Sequence, residues 1–179
     1  MNDELQTFVE DPTPQNYSCA RRAVLADAAY QPHLLKVVEL VSLCDAERFE
    51  EVNRQVQQMM PQGALSPRVH LLAGQAARQL GDQQEADVRR YLMRICLEGL
   101  LDSGDGTLEN PYRVIHTSDE YDVLAALNLQ ARSQRLIESQ NGFCDVITCE
   151  DGEEVWFEVD GLVGRDADAE VGAGVENED

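Results

Sequence analysis

The first hundred residues carry apolar positions at helical spacing, interrupted by proline and glycine. One apolar stripe predicts a helix over residues 17–29, which Gln31-Pro32 ends. The members of this stripe are Ala20, Val24, Leu25 and Ala28. Residues 1–16 are polar and broken by prolines, but three apolar side chains can anchor them: Leu5, Phe8 and Val9.

Two helix pairs follow, and an offset of 37 residues relates them. Each pair has the pattern of a helix, a short turn and a second helix, and Ser66-Pro67 opens the second pair as N-cap and first helical residue. The offset aligns Leu34-Leu35 with Leu71-Leu72, Leu43 with Leu80, Asp45 with Asp82 and Phe49 with Ala86.

Small residues in the second pair resemble those of a tetratricopeptide repeat. Gly74, Gly81 and Ala86 stand at the spacing that this family uses for a helix contact, a turn and a second contact. Arg90 departs from the family, which has a large apolar residue there, and the period exceeds the usual length of about 34 residues. The resemblance implies antiparallel hairpins that bury their apolar faces against each other.

A junction separates this helical half from the rest of the chain. Residues 102–110 form a glycine-containing loop, in which Gly104 and Gly106 permit turns that side chains hinder, and residues 111–116 are extended. We expect three apolar residues of the extended piece to insert into the core: Tyr112, Val114 and Ile115. A helix then starts with Thr117 or Ser118 as its cap and with Asp119 and Glu120 in its first turn.

The remaining apolar positions follow the period of a strand. Residues 132–138, 143–149 and 155–159 are short runs, the last two rich in β-branched and aromatic residues. Asn141-Gly142 and Asp151-Gly152 separate them, and both dipeptides are hairpin signals. The pattern predicts a three-stranded antiparallel meander from about residue 131 to residue 159, packed on the helices because so small a sheet is unstable alone.

The fold class that follows is α+β, with five or six helices before the meander. Tetratricopeptide-like helical hairpins over residues 17–101 pack on the loop, helix and meander of residues 102–163. One domain therefore spans residues 1–163. Residues 164–179 lack aromatic residues and consist mostly of Gly, Ala, Asp and Glu, a composition that predicts an acidic disordered tail.

The net charge of −20 changes the expected partners. The last thirty residues hold twelve acids and one base, so they carry −11 of that charge. Such a balance excludes nucleic acid as a direct partner, because phosphate binding needs clustered Lys and Arg. It also disfavours anionic membrane surfaces and favours a basic protein partner.

The cysteines and residues 1–10 indicate in which cellular compartment the protein is expected. Five scattered cysteines do not suggest a disulfide framework, and residues 1–10 lack the apolar run of a secretory signal. No run approaches the ~20 apolar residues that a transmembrane helix needs. These features predict a cytoplasmic protein.

A set of short motifs in the second half resembles an uncharacterised bacterial domain family of unknown function. The motifs are SGDGT at residue 103, YxVI at 112, DEY at 119, SQxLI at 133 and VWF at 155. The resemblance is specific over residues 97–159 and looser over residues 17–96. It implies tetratricopeptide-like helices before the motifs and no known activity.

Candidate metal and catalytic residues cluster in the junction. Asp102, Asp105 and Glu109 lie in the loop, but without the alternate acids and distant Glu of an EF-hand, and no HxxH or HExxH motif occurs. His116 with Asp119 and Glu120 is a second possible cluster. A structural turn and a helix start explain these acids better, and we expect no metal and no cofactor.

Six residues are the candidates for binding: Asp105, Tyr112, Asp119, Glu120, Gln134 and Trp156. Asp105 and Glu120 are a possible general acid–base pair. Gln134 binds backbone at the sheet edge or lines a groove. Trp156 faces away from Val155 and Phe157, where it is either covered by the first residues of the chain or exposed as a contact.

Two functions remain open. The first is a non-enzymatic protein-interaction or adaptor module with an acidic surface. The second is a small enzyme or cation-dependent binder centred on residues 102–120, for which carboxylates should converge in a pocket rather than point to solvent. The sequence contains no GxSxG, P-loop or GxGxxG motif that would favour the enzyme.

Overall fold

Helices occupy the first part of the chain and a sheet the last part. A computed structural model describes residues 3–28, 30, 37–139 and 142–163. The helices before the junction are α1 Asp3–Glu10, α2 Pro14–Ala26, α3 Val37–Asp45, α4 Phe49–Gln58, α5 Pro67–Gln79 and α6 Gln83–Leu101, with a 3₁₀ turn at Gln62–Leu65 between α4 and α5. After the junction come α7 Thr117–Ala126 and the single turn α8 Asp160–Val163.

Local caps explain where several helices begin. The Ser66 hydroxyl accepts a hydrogen bond from the Val69 backbone N–H, as predicted for an N-cap, and Pro67 is the first helical residue. Asp82 caps α6 through the N–H of Glu85. Gly81 turns the chain between α5 and α6 at a φ of +81°, a conformation that glycine adopts without strain.

The sheet contains the predicted meander and one additional strand. Its strands are β1 Tyr112–Arg113, β2 Ala131–Ser139, β3 Gly142–Cys149 and β4 Glu154–Glu158, in the order β1-β4-β3-β2. The antiparallel β2-β3-β4 meander is confirmed. The extended piece of the junction pairs in parallel with β4 and becomes β1, so the sheet has four strands instead of three.

The helix count was underestimated. In the described residues seven α-helices precede β2, where five or six were expected. Residues 1–16 were correctly identified as anchored by Leu5 and Phe8, which are both buried, but their helix α1 was missed. Only two apolar residues per two turns face the core there, so the stripe is too short to be recognised.

Two apolar clusters form the interior. The main core joins α1, α2, α6 and α7 to the inner face of the sheet, and it includes Phe8, Tyr17, Ile95, Ile115 and Phe157. A smaller core lies among α3, α4 and α5, where its members are Leu40, Leu43, Val52, Val56, Val69, Leu72, Ala73 and Ala76. The helical half therefore contributes to both cores.

The junction packs as predicted. Tyr112, Val114 and Ile115 are at most 6% exposed and belong to the main core. Gly106 has a φ of +78°, and a Cβ on Gly104 would lie 2.3 Å from the Pro111 carbonyl oxygen. Both glycines are thus required for the loop to fold back on β1.

Some expectations lie outside the described residues. The alignment of Leu34-Leu35 and the tail over residues 164–179 belong to this group, so the extent of the domain stays a prediction there. Within the described ranges, no helix is both long enough and apolar enough to cross a membrane.

Candidate functional site

Four polar side chains around the start of α7 are buried against the sheet and α5. They are His116, Asp119, Glu120 and Asp122, with exposures of 1, 0, 0 and 9%. Burying an ionisable side chain costs free energy unless its polar atoms make hydrogen bonds or ion pairs. The contacts of each of the four side chains therefore matter.

Asp119 closes the start of the helix. Its Oδ2 accepts hydrogen bonds from the backbone N–H groups of Ile115 (3.0 Å) and His116 (2.9 Å). His116 is the N-cap position, so the prediction that Thr117 or Ser118 caps the helix was wrong. Thr117 and Ser118 lie one and two positions after the N-cap, and the Asp119 carboxylate bonds to the free backbone N–H groups instead.

Asp122 is paired with an arginine from the helical half. The Nε of Arg68 on α5 donates to Asp122 Oδ1 at 2.7 Å, and its Nη2 also donates to that oxygen. Burial raises the pKa of Asp122, while the guanidinium of Arg68 acts in the opposite direction. This pair holds α7 on α5.

Glu120 has no cationic partner among the described residues, and its carboxyl contacts side chains of the sheet instead. Gln134 of β2 donates from Nε2 to Glu120 Oε2 (3.2 Å) and to Asp145 Oδ2 of β3 (2.7 Å). The Tyr121 hydroxyl donates to Gln134 Oε1 at 3.2 Å. One amide therefore links α7, β2 and β3, while Glu120 Oε1 is buried with no hydrogen-bond partner among the described residues.

The environment of Glu120 favours its neutral form. Burial, followed by the negative charge of Asp145 and a hydrogen bond with that carboxylate, raises the pKa of Glu120 from 4.5 to about 9. Glu120 lies in the first turn of α7 as predicted, but a neutral acid does not complement the helix dipole. A protonated carboxyl beside a second carboxyl is chemically a proton donor–acceptor pair.

The strand that carries Gln134 is one of the two edge strands of the sheet, and no described residue pairs with its outer side. β2 is the last strand in the order and spans nine residues, with a register shift between Ala131 and Ser133. Its side chains from residue 131 to 136 are all exposed, and Leu136 is 54% exposed. Native proteins usually shield such an edge, because its backbone groups can pair with another chain.

The other predicted residues lie apart from this network. Asp105 is exposed and accepts hydrogen bonds from the backbone and hydroxyl of Thr107, which lower the pKa of its carboxyl. Tyr112 is buried beside the Phe157 ring, with 5.9 Å between ring centroids. Trp156 is half-buried opposite Val146, and its backbone N–H donates to Gly106.

Asp145 belongs to the network but is not among the six residues predicted for binding. It lies in phase with Phe143 and Ile147, whose side chains face the core side of β3. An acid at a core-facing strand position is the signal that would have identified it. Arg68 carried no comparable signal, because its partner Asp122 is distant in sequence.

The remaining candidates are possible metal ligands and a cysteine. Within the described ranges, no group of three or more His, Cys, Asp or Glu side chains is arranged to hold a metal ion. Cys96 is buried, and burial raises the pKa of its thiol. The His116 and Tyr30 ring centroids lie 6.0 Å apart.

Comparison with known proteins adds a family. No curated protein and no solved structure matches the chain. One family model, described as a domain of unknown function (DUF4919), matches residues 42–165, which is more than two thirds of the chain. The matched region runs from α3 to just after α8 and contains Arg68, Glu120, Gln134 and Asp145. The chain therefore belongs to the DUF4919 family of domains of unknown function.

Proposed function

We propose that the protein is a non-enzymatic interaction module that receives an extended segment of a partner protein along the free edge of β2. The observation that carries this proposal is the nine-residue edge strand with its exposed side chains. Unpaired backbone groups along an edge give affinity to an added strand, and alternate side chains give specificity.

Two features next to the edge support a specific contact. Leu136 offers an exposed apolar side chain, and Tyr121, also exposed, stands beside Gln134 on the same side. Exposed aromatic and aliphatic residues beside a polar rim are typical of binding surfaces. The net charge of −20 favours a basic segment over an acidic one.

The helical hairpins support an adaptor architecture of the tetratricopeptide type. Gly74 brings α5 against α6, because a Cβ at this position would lie 3.2 Å from the Arg89 Cβ. Ala86 is buried in the same contact and Gly81 forms the turn. All five cysteines are free, as a reducing compartment such as the cytoplasm maintains them.

The test uses an edge-blocking substitution. Leu136→Lys places a charge on the edge strand without removing a buried group. Protein captured from a native-host lysate by the wild type should be lost by Leu136→Lys and kept by Leu80→Lys, whose leucine is also exposed but lies at the α5–α6 turn. The captured partner should slow amide hydrogen exchange in β2. Protection confined to α3–α6 would contradict the edge as the docking site.

A second candidate function, a small enzyme, is favoured by the Glu120–Asp145 pair. A buried carboxyl whose pKa is raised to about 9 beside another carboxyl is suited to general acid catalysis. Any hydrolase activity found in a substrate panel should vanish in Glu120→Gln and persist in Asp105→Asn. Activity that survives Glu120→Gln would remove this candidate.

A further inference from the structure

A pocket of about 250 Å³ lies between α1, α5 and α6, on a different part of the molecule from the β2 edge. Its walls are mostly apolar and include Phe8 of α1, Leu65 of the 3₁₀ turn and Leu92 of α6. Protein interiors contain few voids larger than a water molecule. An apolar cavity of about 150 Å³ stays dry and accepts benzene, so this larger pocket is suited to an apolar body of on the order of ten heavy atoms.

One corner of the pocket is polar. His70 is 2% exposed, and its Nε2 lies 2.8 Å from the Ala64 carbonyl oxygen. Burial lowers the pKa of His70 to about 4, so the ring is neutral and donates to that carbonyl. Its Nδ1 then accepts from Arg89 Nη1 at 3.3 Å. The histidine therefore orients the guanidinium without adding charge.

Arg89 keeps donor capacity that the described residues do not use. Its Nε donates to Glu85 at 2.7 Å, while its Nη2 makes no hydrogen bond to the residues that the structure describes. Guanidinium groups bind carboxylates through paired N–H donors. The Arg89 side chain is only 18% exposed, so the surrounding apolar walls strengthen such a contact.

We propose that this pocket binds a small amphipathic carboxylate, with its apolar body between α1 and α6 and its carboxylate on Arg89. The apolar walls select a chain or ring of moderate size. The oriented guanidinium selects an anionic head over a neutral one. Glu85 holds the Nε–H of Arg89, so the ligand carboxylate takes the Nη2 group that no described residue uses.

Octanoate and 1-octanol are the probes, because they share the chain and differ in the head. Calorimetry should show octanoate binding to the wild-type protein at least about tenfold more tightly than octanol, the ratio expected for one charge-assisted hydrogen bond. Arg89→Ala should remove that preference. Arg90→Ala removes the same charge from the next residue of α6, which pairs with Asp87 outside the pocket, and should leave octanoate affinity unchanged.

A second substitution locates the apolar body. Val88 lines the pocket and is 45% exposed, so Val88→Trp should fill the mouth without unfolding the protein and should block both probes. The matched control is Leu71→Trp on α5, where the leucine is 40% exposed and does not line the pocket. Circular dichroism and melting temperature verify that each variant is folded.

Three results would overturn the proposal. Equal binding of octanoate and octanol would show that Arg89 does not recognise the head. Binding that survives Val88→Trp would place the ligand elsewhere. If neither probe binds, the pocket is not a carboxylate site, and a change of oligomeric state in Val88→Trp on gel filtration would then identify it as a protein contact.

Discussion

At the residue scale, the position of Glu120 in its helix could be predicted from sequence, but its protonation state could not. Its place in the first turn of α7 follows from sequence, but its neutral state follows from contacts with Gln134 and Asp145 that lie 14 or more residues away. A sequence pattern gives the spacing of residues along one helix or strand. It does not give which residues of different elements lie side by side. The role of Glu120 was therefore beyond sequence analysis.

Glu120→Gln should flatten the pH dependence of stability. The folded pKa of about 9 lies above the ordinary value of 4.5, so between these pH values the folded protein holds a proton that the unfolded chain has released. This contribution to stability is fully present below pH 4.5 and is lost as pH rises toward 9. Thermal melts from pH 5 to pH 9 should show a declining wild-type stability and a smaller decline in Glu120→Gln. Parallel curves would show that Glu120 is ionised in the folded state, despite the charges of Asp119 and Asp145 that face it.

Ile115→Ala should destabilise the protein by roughly 2–5 kcal/mol, since a fully buried isoleucine leaves a cavity when truncated. Chemical denaturation measures the change. Leu136→Ala is the matched control, because its side chain is 54% exposed, and it should cost well under about 1 kcal/mol. Similar losses at both positions would contradict the packing of the junction.

At the element scale, the order of helices and strands follows largely from sequence. Hairpin dipeptides and β-branched runs identified β3 and β4, and the Ser66-Pro67 pair identified the start of α5. The extended piece at residues 111–116 was predicted, but its place in the sheet as β1 was not, because that depends on pairing with the distant strand β4. Helix α1 was missed because a stripe of two buried residues is indistinguishable from a polar loop.

Gly99→Ala tests the contact between α2 and α6. Glycine in the middle of a helix is usually destabilising, but a Cβ on Gly99 would lie 2.5 Å from the Tyr17 ring. The fully buried ring has no room to move, so the substitution should cost about 1–3 kcal/mol although alanine favours helix. Gly63→Ala, whose Cβ would meet neighbours at an ordinary 3.6 Å, is the control. A stabilised Gly99→Ala protein would mean that α2 is not seated on α6.

At the scale of the whole molecule, the family region and the folded unit differ. The family model matches residues 42–165, yet α1 and α2 lie before that range and contribute Leu5, Phe8, Tyr17, Ala20 and Val24 to the main core. A fragment of residues 42–165 should therefore expose the α6 surface that they cover and lack a cooperative melting transition. The chain of residues 1–163 is the control and should melt cooperatively. A cooperative transition in the shorter fragment would show that α1 and α2 are dispensable.

The contact between Arg21 and Glu158 has a consequence for synthesis. Arg21 of α2 donates to Glu158 of β4 at 3.0 Å, across 137 residues of sequence. At translation rates of about 5–20 residues per second, the ribosome takes on the order of ten seconds to make the intervening chain. Throughout that interval Arg21 has no Glu158 to pair with, whereas α1 is already made and α6, another helical neighbour of α2, follows before the meander. Helix α2 can therefore pack on its helical neighbours during synthesis, but its ion pair with the sheet forms only after β4 is made.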